Sequence, residues 1–254
     1  MKFATIIACL CLVALPCAAA TPPASPPSRL GSGYLKDAAL AADFSPPPPA
    51  PGSAAQARDD EAAKAALLLR DSPHWALAAA DAELFGPTAT AAFSCTVGVA
   101  IDPATTPRLD KPLRRTIADF GRSTSKIKQR YTRPRPFMVN GLATCTPDME
   151  TVLRKDGSYP SGYNAIGYGW GLILSQLRPD LASTLVARGR AFGDGRRICN
   201  AHWLSDTEEG RLAASATLAR LNAEPAFQKD MKARAPNWGV PRLRPLAATR
   251  KLLP

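Results

Sequence analysis

The sequence predicts an all-α protein. Apolar residues recur at helical spacing through most of the chain beyond residue 58, and runs that alternate like a strand are few, with only Phe93 to Ile101 ambiguous. No internal repeat divides the 254 residues, a length that suits one domain plus extensions.

Taken in order, residues 1–20 read as a secretory signal: Lys2 gives the positive start, Phe3 to Leu15 the apolar run and Ala18-Ala19-Ala20 the small residues for cleavage. That run is too short to span a bilayer as a helix. No later stretch is long and apolar enough, so the mature protein is expected to be soluble and periplasmic or secreted. Cys17 invites a lipid-anchor reading, which Pro16 opposes. Residues 21–33 are Pro, Ser, Ala and Gly with too little apolar surface to fold, and PPPPAPGS at 46–53 reads as extended chain. Together 21–58 form an expected Pro/Ala-rich arm.

A helical domain is expected over 59–235. Asp59, Asp60 and Glu61 are acidic residues suited to a helix start, followed by Ala62 to Leu69. Ser72-Pro73 is an N-cap with proline at the first helical position, and Trp75, Ala79 and Ala82 then share a face. Pro112 is expected to open another helix, with Leu113, Ile117 and Phe120 on its apolar stripe. Asn164 to Leu177 is apolar almost all round and reads as a buried helix; Gly167, Gly169 and Gly171 cost helix stability but permit close packing. Leu181, Leu185, Val186 and Phe192 mark the next helix. Trp203 to Leu221 marks another, with Leu212, Leu218 and Leu221 among its apolar positions. Residues 236–254 fade into a basic, Pro-containing tail.

The formal net charge is +11, which favours anionic partners. The basic residues are scattered, with no dense run interleaved with aromatics, so a small phosphate-bearing molecule is a more economical partner than nucleic acid. Three cysteines leave with the signal, and Cys95, Cys145 and Cys199 remain, allowing at most one intrachain disulfide. Cys95–Cys145 is the favoured pair because Cys199 lies inside a functional cluster; three reduced thiols are the alternative. No CxxC or HxxxH occurs, and the only histidines are His74 and His202, so no metal site is expected.

Three clusters call for a joint explanation. KQRYTRPRP carries Lys128 and Arg135 seven residues apart, YPSG ends at Gly162, and GRRICNAHWLSD carries Arg196, His202 and Asp206. Phosphoryl transfer needs positioning and electrostatic clamping of charge spread over the phosphoryl oxygens. Arginine clamps through paired hydrogen bonds, lysine as a point charge, and a helix N-terminus through its free N–H groups. His202 is the candidate nucleophile, and Asp206, one helical turn on, can hold one ring nitrogen while the other attacks phosphorus. In isolation His202 and Asp206 would read as a helix-surface pair, but Arg196, six residues earlier, supplies the anion clamp a histidine nucleophile needs.

In this order the clusters resemble the bacterial class A nonspecific acid phosphatases of the type 2 phosphatidic acid phosphatase superfamily. That family's signature is Kx6RP, then PSGH, then SRx5Hx3D. Lys128 with Arg135-Pro136 matches the first block, Pro160-Ser161-Gly162 three of four residues of the second, and Arg196, His202 and Asp206 the third. GSYPSG, ICNAHW, DTEEGR and the early PPPP followed by GS extend the likeness over about residues 34–230. The resemblance implies a single helical-bundle domain of the phosphatidic acid phosphatase/haloperoxidase type, no metal or cofactor, an acid optimum and often a homo-oligomer. It implies that Lys128, Arg135, Ser161, Gly162 and Arg196 bind phosphate. It also implies that His202, oriented by Asp206, forms a phosphohistidine.

Two positions depart from the pattern. Gly195 stands where the family has the serine before Arg196, and reads as a tolerated loop change. Tyr163 stands where the family histidine protonates the leaving alcohol, and a phenol of ordinary pKa about 10 is a weaker acid than an imidazole of about 6.5. Loss of a general acid typically costs about 10²–10⁴ in rate. His74, beside Trp75 at a helix start, is a poor candidate to replace it. An aromatic cage formed by Tyr159, Tyr163, Tyr168 and Trp170 is opposed by helical geometry, since Tyr163 and Trp170 share a face while Tyr168 lies well round from it, and Trp170 is expected to pack in the core. The reading is an exported phosphomonoesterase with weakened general-acid catalysis. Its rivals are a phosphoester-binding protein on the same scaffold and a basic protein that binds polyanions.

Overall fold

The computed structural model describes residues 30–36 and 44–232; the expected signal, residues 21–29 and 37–43 of the arm and the tail over 236–254 lie outside them. Eleven α-helices follow one another among the described residues: α1 Ala54–Leu67, α2 Pro73–Ala80, α3 Ser94–Val97, α4 Pro107–Arg122, α5 Ser125–Tyr131, α6 Pro136–Asn140, α7 Glu150–Leu153, α8 Gly162–Leu177, α9 Ala182–Ile198, α10 Leu204–Asn222 and α11 Pro225–Lys232. No strand interrupts them among the described residues, and the expected all-α class holds.

α8 is the axis of the domain. It packs along α9, and also against α10 and α4. The glycines explain how: a Cβ on Gly171 would stand 2.7 Å from the Leu185 carbonyl, and one on Gly189 2.8 Å from the Gly167 carbonyl, so α8 and α9 touch backbone to backbone. Trp170 lies fully buried between Phe93 and Phe192, with ring centroids 6.2 and 6.1 Å away, and its indole N–H donates to the Leu113 carbonyl at 2.9 Å. Tyr159 lies apart against Tyr131 and donates to the Pro46 carbonyl, so no aromatic cage forms.

Several boundaries move. α1 begins at Ala54, because Ser53 accepts from the Gln56 N–H and caps it there. The arm expected to reach residue 58 therefore ends earlier, and Asp59 falls inside the helix, buried. Pro107, not Pro112, opens α4; Pro112 sits inside the helix. Ser72 caps α2 as expected, accepting from the Trp75 N–H. The ambiguous run at Phe93 to Ile101 takes the end of a 3₁₀ turn, Ala89–Phe93, and then the short helix α3. Leu212 is 50% exposed rather than core. Residues 33–35 dock on α4, although 21–33 was expected to be unable to fold: Arg115 donates to the Gly33 carbonyl, and Asp119 accepts from the Tyr34 and Leu35 N–H groups at 2.9 Å. The buried carboxylate compensates for the segment's lack of apolar surface.

Cys145 pairs with Cys199, Cα atoms 4.8 Å apart, and Cys95 is free and exposed on α3. This corrects the expected Cys95–Cys145 pair. Cys199 caps the C-terminus of α9, and the bond ties the Asn140–Thr146 connection to it. A cysteine inside a functional motif is still available as a structural clamp.

Candidate active site

The predicted residues converge on the N-terminal ends of α8 and α10. His202 closes the turn between α9 and α10, and its main-chain N–H donates to the Arg196 carbonyl. Asn200, at φ 60°, reverses the chain there. Asp206 in the first turn of α10 accepts from the Trp203 N–H at 2.9 Å and so fastens the helix start. The same carboxylate oxygen lies 3.1 Å from His202 Nδ1, the predicted one-turn contact. Arg135 Nη1 lies 2.9 Å from His202 Nε2. A guanidinium can only donate, so Nε2 is the lone-pair nitrogen and Nδ1–H faces Asp206. That is the tautomer a nucleophile at Nε2 requires.

The charges are buried. Lys128 is 7%, Arg135 1%, Arg196 1%, His202 2% and Asp206 0% exposed. Burial, then the Arg135, Lys128 and Arg196 cations, hold the His202 imidazole well below its usual range, so it stays neutral in mild acid. Burial and the neighbouring Arg135 bring the Lys128 ammonium down to about 8, against the upward pull of Asp156. Burial pushes the Asp206 carboxyl up, and Arg133 opposes it.

Lys128 and Arg135 share partners, and Arg196 stands apart from them. Lys128 donates to Asp156 at 3.0 Å and to the Gly157 carbonyl, and Arg135 reaches the same Asp156 oxygen at 3.2 Å. Arg196 donates to Cys199 Sγ at 3.3 Å and lies 4.4 Å from the centre of the Tyr163 ring; its Nε has no hydrogen-bond partner among the described residues. A buried guanidinium so sparsely satisfied suits an anion. Ser161 caps α8, accepting from the Asn164 N–H at 3.3 Å, while its own N–H donates to the Asp206 carbonyl. Gly162 opens α8, whose first-turn N–H groups have no intrahelical acceptor.

Several positions were missed or read differently. Arg133 bridges two buried carboxylates, Asp206 at 2.7 Å and Asp59 at 2.7 Å, and Asp59 also accepts from the Ser205 N–H and hydroxyl. Arg133 stood inside the quoted KQRYTRPRP, but nothing in its spacing marks it, and Asp59 had been read as a helix-start acid. Asp156, 49% exposed at its side chain, joins Lys128 and Arg135 without any motif signal. Gly195 lies within α9, not in a loop, and a Cβ there would meet Ala78 at 3.4 Å, ordinary contact. His74 is exposed on α2 and is not among the residues lining the site cavity.

That cavity, about 250 Å³, opens over His202. Lys128, Arg135, Asp156 and Gly162 line its polar side, and Tyr163 stands at its edge. Among the described residues no group of acids, histidines and cysteines is placed to hold a metal, and no helix is long and apolar enough to cross a membrane.

A helical domain carrying a neutral, carboxylate-held histidine among three buried cations defines the class of protein, and comparison with known families agrees. Residues 116–223 match the PAP2 superfamily, and the chain belongs to it. Among curated relatives, a "Non-specific acid phosphatase" of Salmonella typhi is 42% identical over 164 residues, 64% of this chain and 66% of the relative. One of Providencia stuartii with the same description is 39% identical over 166 residues, 65% and 67% of the two chains. An "Acid phosphatase" of Zymomonas mobilis is 37% identical over 164 residues, 65% and 62%. The matched segment thus spans just under two thirds of the Salmonella relative's length.

Proposed function

We propose that this protein is an exported acid phosphatase that hydrolyses phosphomonoesters through a phosphohistidine. The observation that carries the proposal is the buried His202, with Nδ1 against Asp206 and Nε2 facing Arg135. The phosphatase descriptions of the relatives point the same way, and the disulfide suits an oxidising compartment.

Lys128, Arg135 and Arg196 take the phosphoryl oxygens, joined by the Ser161 hydroxyl and the Gly162 N–H. Nε2 attacks phosphorus in line; the N–P bond forms as the bond to the leaving oxygen breaks, and that oxygen takes a proton from Tyr163 or water. Asp206 stabilises the positive charge that develops on the ring. Water then attacks phosphorus and gives up a proton that restores the Tyr163 phenol or passes to solvent, the N–P bond breaks, and inorganic phosphate leaves with His202 restored. The depressed basicity of His202 keeps its lone pair available in acid, where an ordinary histidine would be protonated.

Purified protein assayed on phenyl phosphate at pH 5 tests this. Turnover is expected, and His202→Ala should lose about 10⁴-fold or more. If wild type and His202→Ala are equally inert yet both bind phosphate, the chain is a phosphoester-binding protein instead.

A further inference from the structure

The leaving-group side of the same cavity has a distinct composition. Besides Lys128 and Arg135, its lining includes Leu30, Leu84, Phe85, Leu153, Ile166 and Tyr163. These come from the N-terminal segment, the α2–α3 connection, α7 and α8. Phe85 stands out, because it is 48% exposed although Leu84 beside it is buried in the core. An exposed phenyl ring on a loose loop would need no explanation, but this turn is pinned. Glu83 accepts from both the Phe85 and Gly86 N–H groups at 2.7 Å, and Arg114 donates to the Gly86 and Pro87 carbonyls at 2.7 and 2.6 Å. Arg114 is held in turn by Asp110. The turn therefore presents Phe85 in a fixed position at the rim of the cavity.

Tyr163 lines the same cavity, its ring engaged by Arg196. The cavity lining holds no histidine besides His202, and its one carboxylate, Asp156, is bound to Lys128 and Arg135. The Thr124 and Ser125 hydroxyls in the lining donate to the Gly121 carbonyl, so apart from the Tyr163 phenol a leaving group seated here meets mainly apolar surface.

We infer that the site is built for phosphomonoesters whose leaving group is an apolar ring, with Phe85 and Tyr163 as its specificity-determining walls. This rests on the phosphatase reading above for turnover, but the ring-binding wall is testable without it. A sugar or glycerol leaving group would lose its hydration against this wall without replacement hydrogen bonds, whereas a ring gains contact.

Non-hydrolysable phosphonates separate the two readings. Benzylphosphonate should bind about tenfold tighter than ethylphosphonate by calorimetry. Phe85→Ser should shrink that ratio to about twofold, leave ethylphosphonate affinity unchanged and leave the melting temperature unchanged, while Phe85→Leu keeps part of the preference. The same ratio is expected in kcat/KM for benzyl over ethyl phosphate, two alcohols that demand protonation alike. Equal affinity for the two phosphonates, or a preference that survives Phe85→Ser intact, overturns the assignment. A phosphonate preference without turnover of any ester leaves the wall standing and removes the phosphatase reading.

Discussion

The two halves of the candidate active site are built in different ways. The nucleophile half is a closed polar web: His202 on Asp206, Asp206 on Arg133, Arg133 on Asp59, and Asp59 on Ser205, every carboxylate in it buried. The leaving-group half is apolar packing brought together from four separated segments, with Tyr163 at its edge and Phe85 part-exposed at its rim. Polar webs in low dielectric demand complete partners, so one substitution propagates. An apolar wall tolerates exchange and tunes which molecule fits. Under the proposed mechanism the nucleophile half would set whether reaction occurs, and the other half on what.

The largest effect expected from breaking that contrast is at Arg133. Arg133→Ala leaves Asp59 and Asp206 without their shared cation, and removing one partner of a buried pair costs about 3–5 kcal/mol. Urea unfolding should show that loss, together with a fall in kcat, whereas Phe85→Ser should stay within about 0.5 kcal/mol of wild type. Tyr163→His comes next and works on the other half. A restored imidazole acid should raise kcat/KM on ethyl phosphate by about 10–100-fold and on phenyl phosphate far less, since general acids typically contribute about 10²–10⁴ and a phenolate needs less protonation.

Charge in the clamp gives a smaller, pH-dependent effect. Lys128 titrates near 8, below its usual range because burial disfavours the charged form. If the protonated lysine binds phosphate as proposed, KM should rise as pH climbs through about 8, and Lys128→Arg should move that limb upward. The sign for stability is opposite: a lysine whose pKa is lowered by folding costs stability while charged, and that cost fades above pH 8. Asp156 should have the mildest effect. Its carboxylate occupies both Lys128 and Arg135, so Asp156→Asn should lower the inhibition constant for inorganic phosphate about two- to fivefold.

This contrast also explains what the sequence disclosed. His202 and Asp206 are one helical turn apart, and Ser161 and Gly162 open a helix, so their spacing carries their geometry. Lys128, Arg135 and Arg196 stand out in the sequence because the motif order is dense in chemistry, and the structure buries all three close enough to act on His202. Arg133 and Asp59 meet across 74 positions, and Phe85 is placed by Glu83 and Arg114; no local pattern encodes either arrangement. The helices themselves were legible from apolar periodicity, but their starts were not, since Ser53 and Pro107 outcompeted the acidic residues and Pro112 that the sequence favoured. The disulfide was misplaced because the functional reading of ICNAHW hid Cys199's role in tying the α9 terminus to its neighbouring loop.

The central claim, that Nε2 of His202 takes the phosphoryl group, is tested most directly by rapid quenching of the enzyme with phenyl phosphate labelled at phosphorus. A labelled protein species, stable in alkali, labile in acid and mapped to His202, is the expected result, and it should be absent from His202→Ala. Steady turnover with no labelled protein at any quench time, or label retained in His202→Ala, would contradict the account.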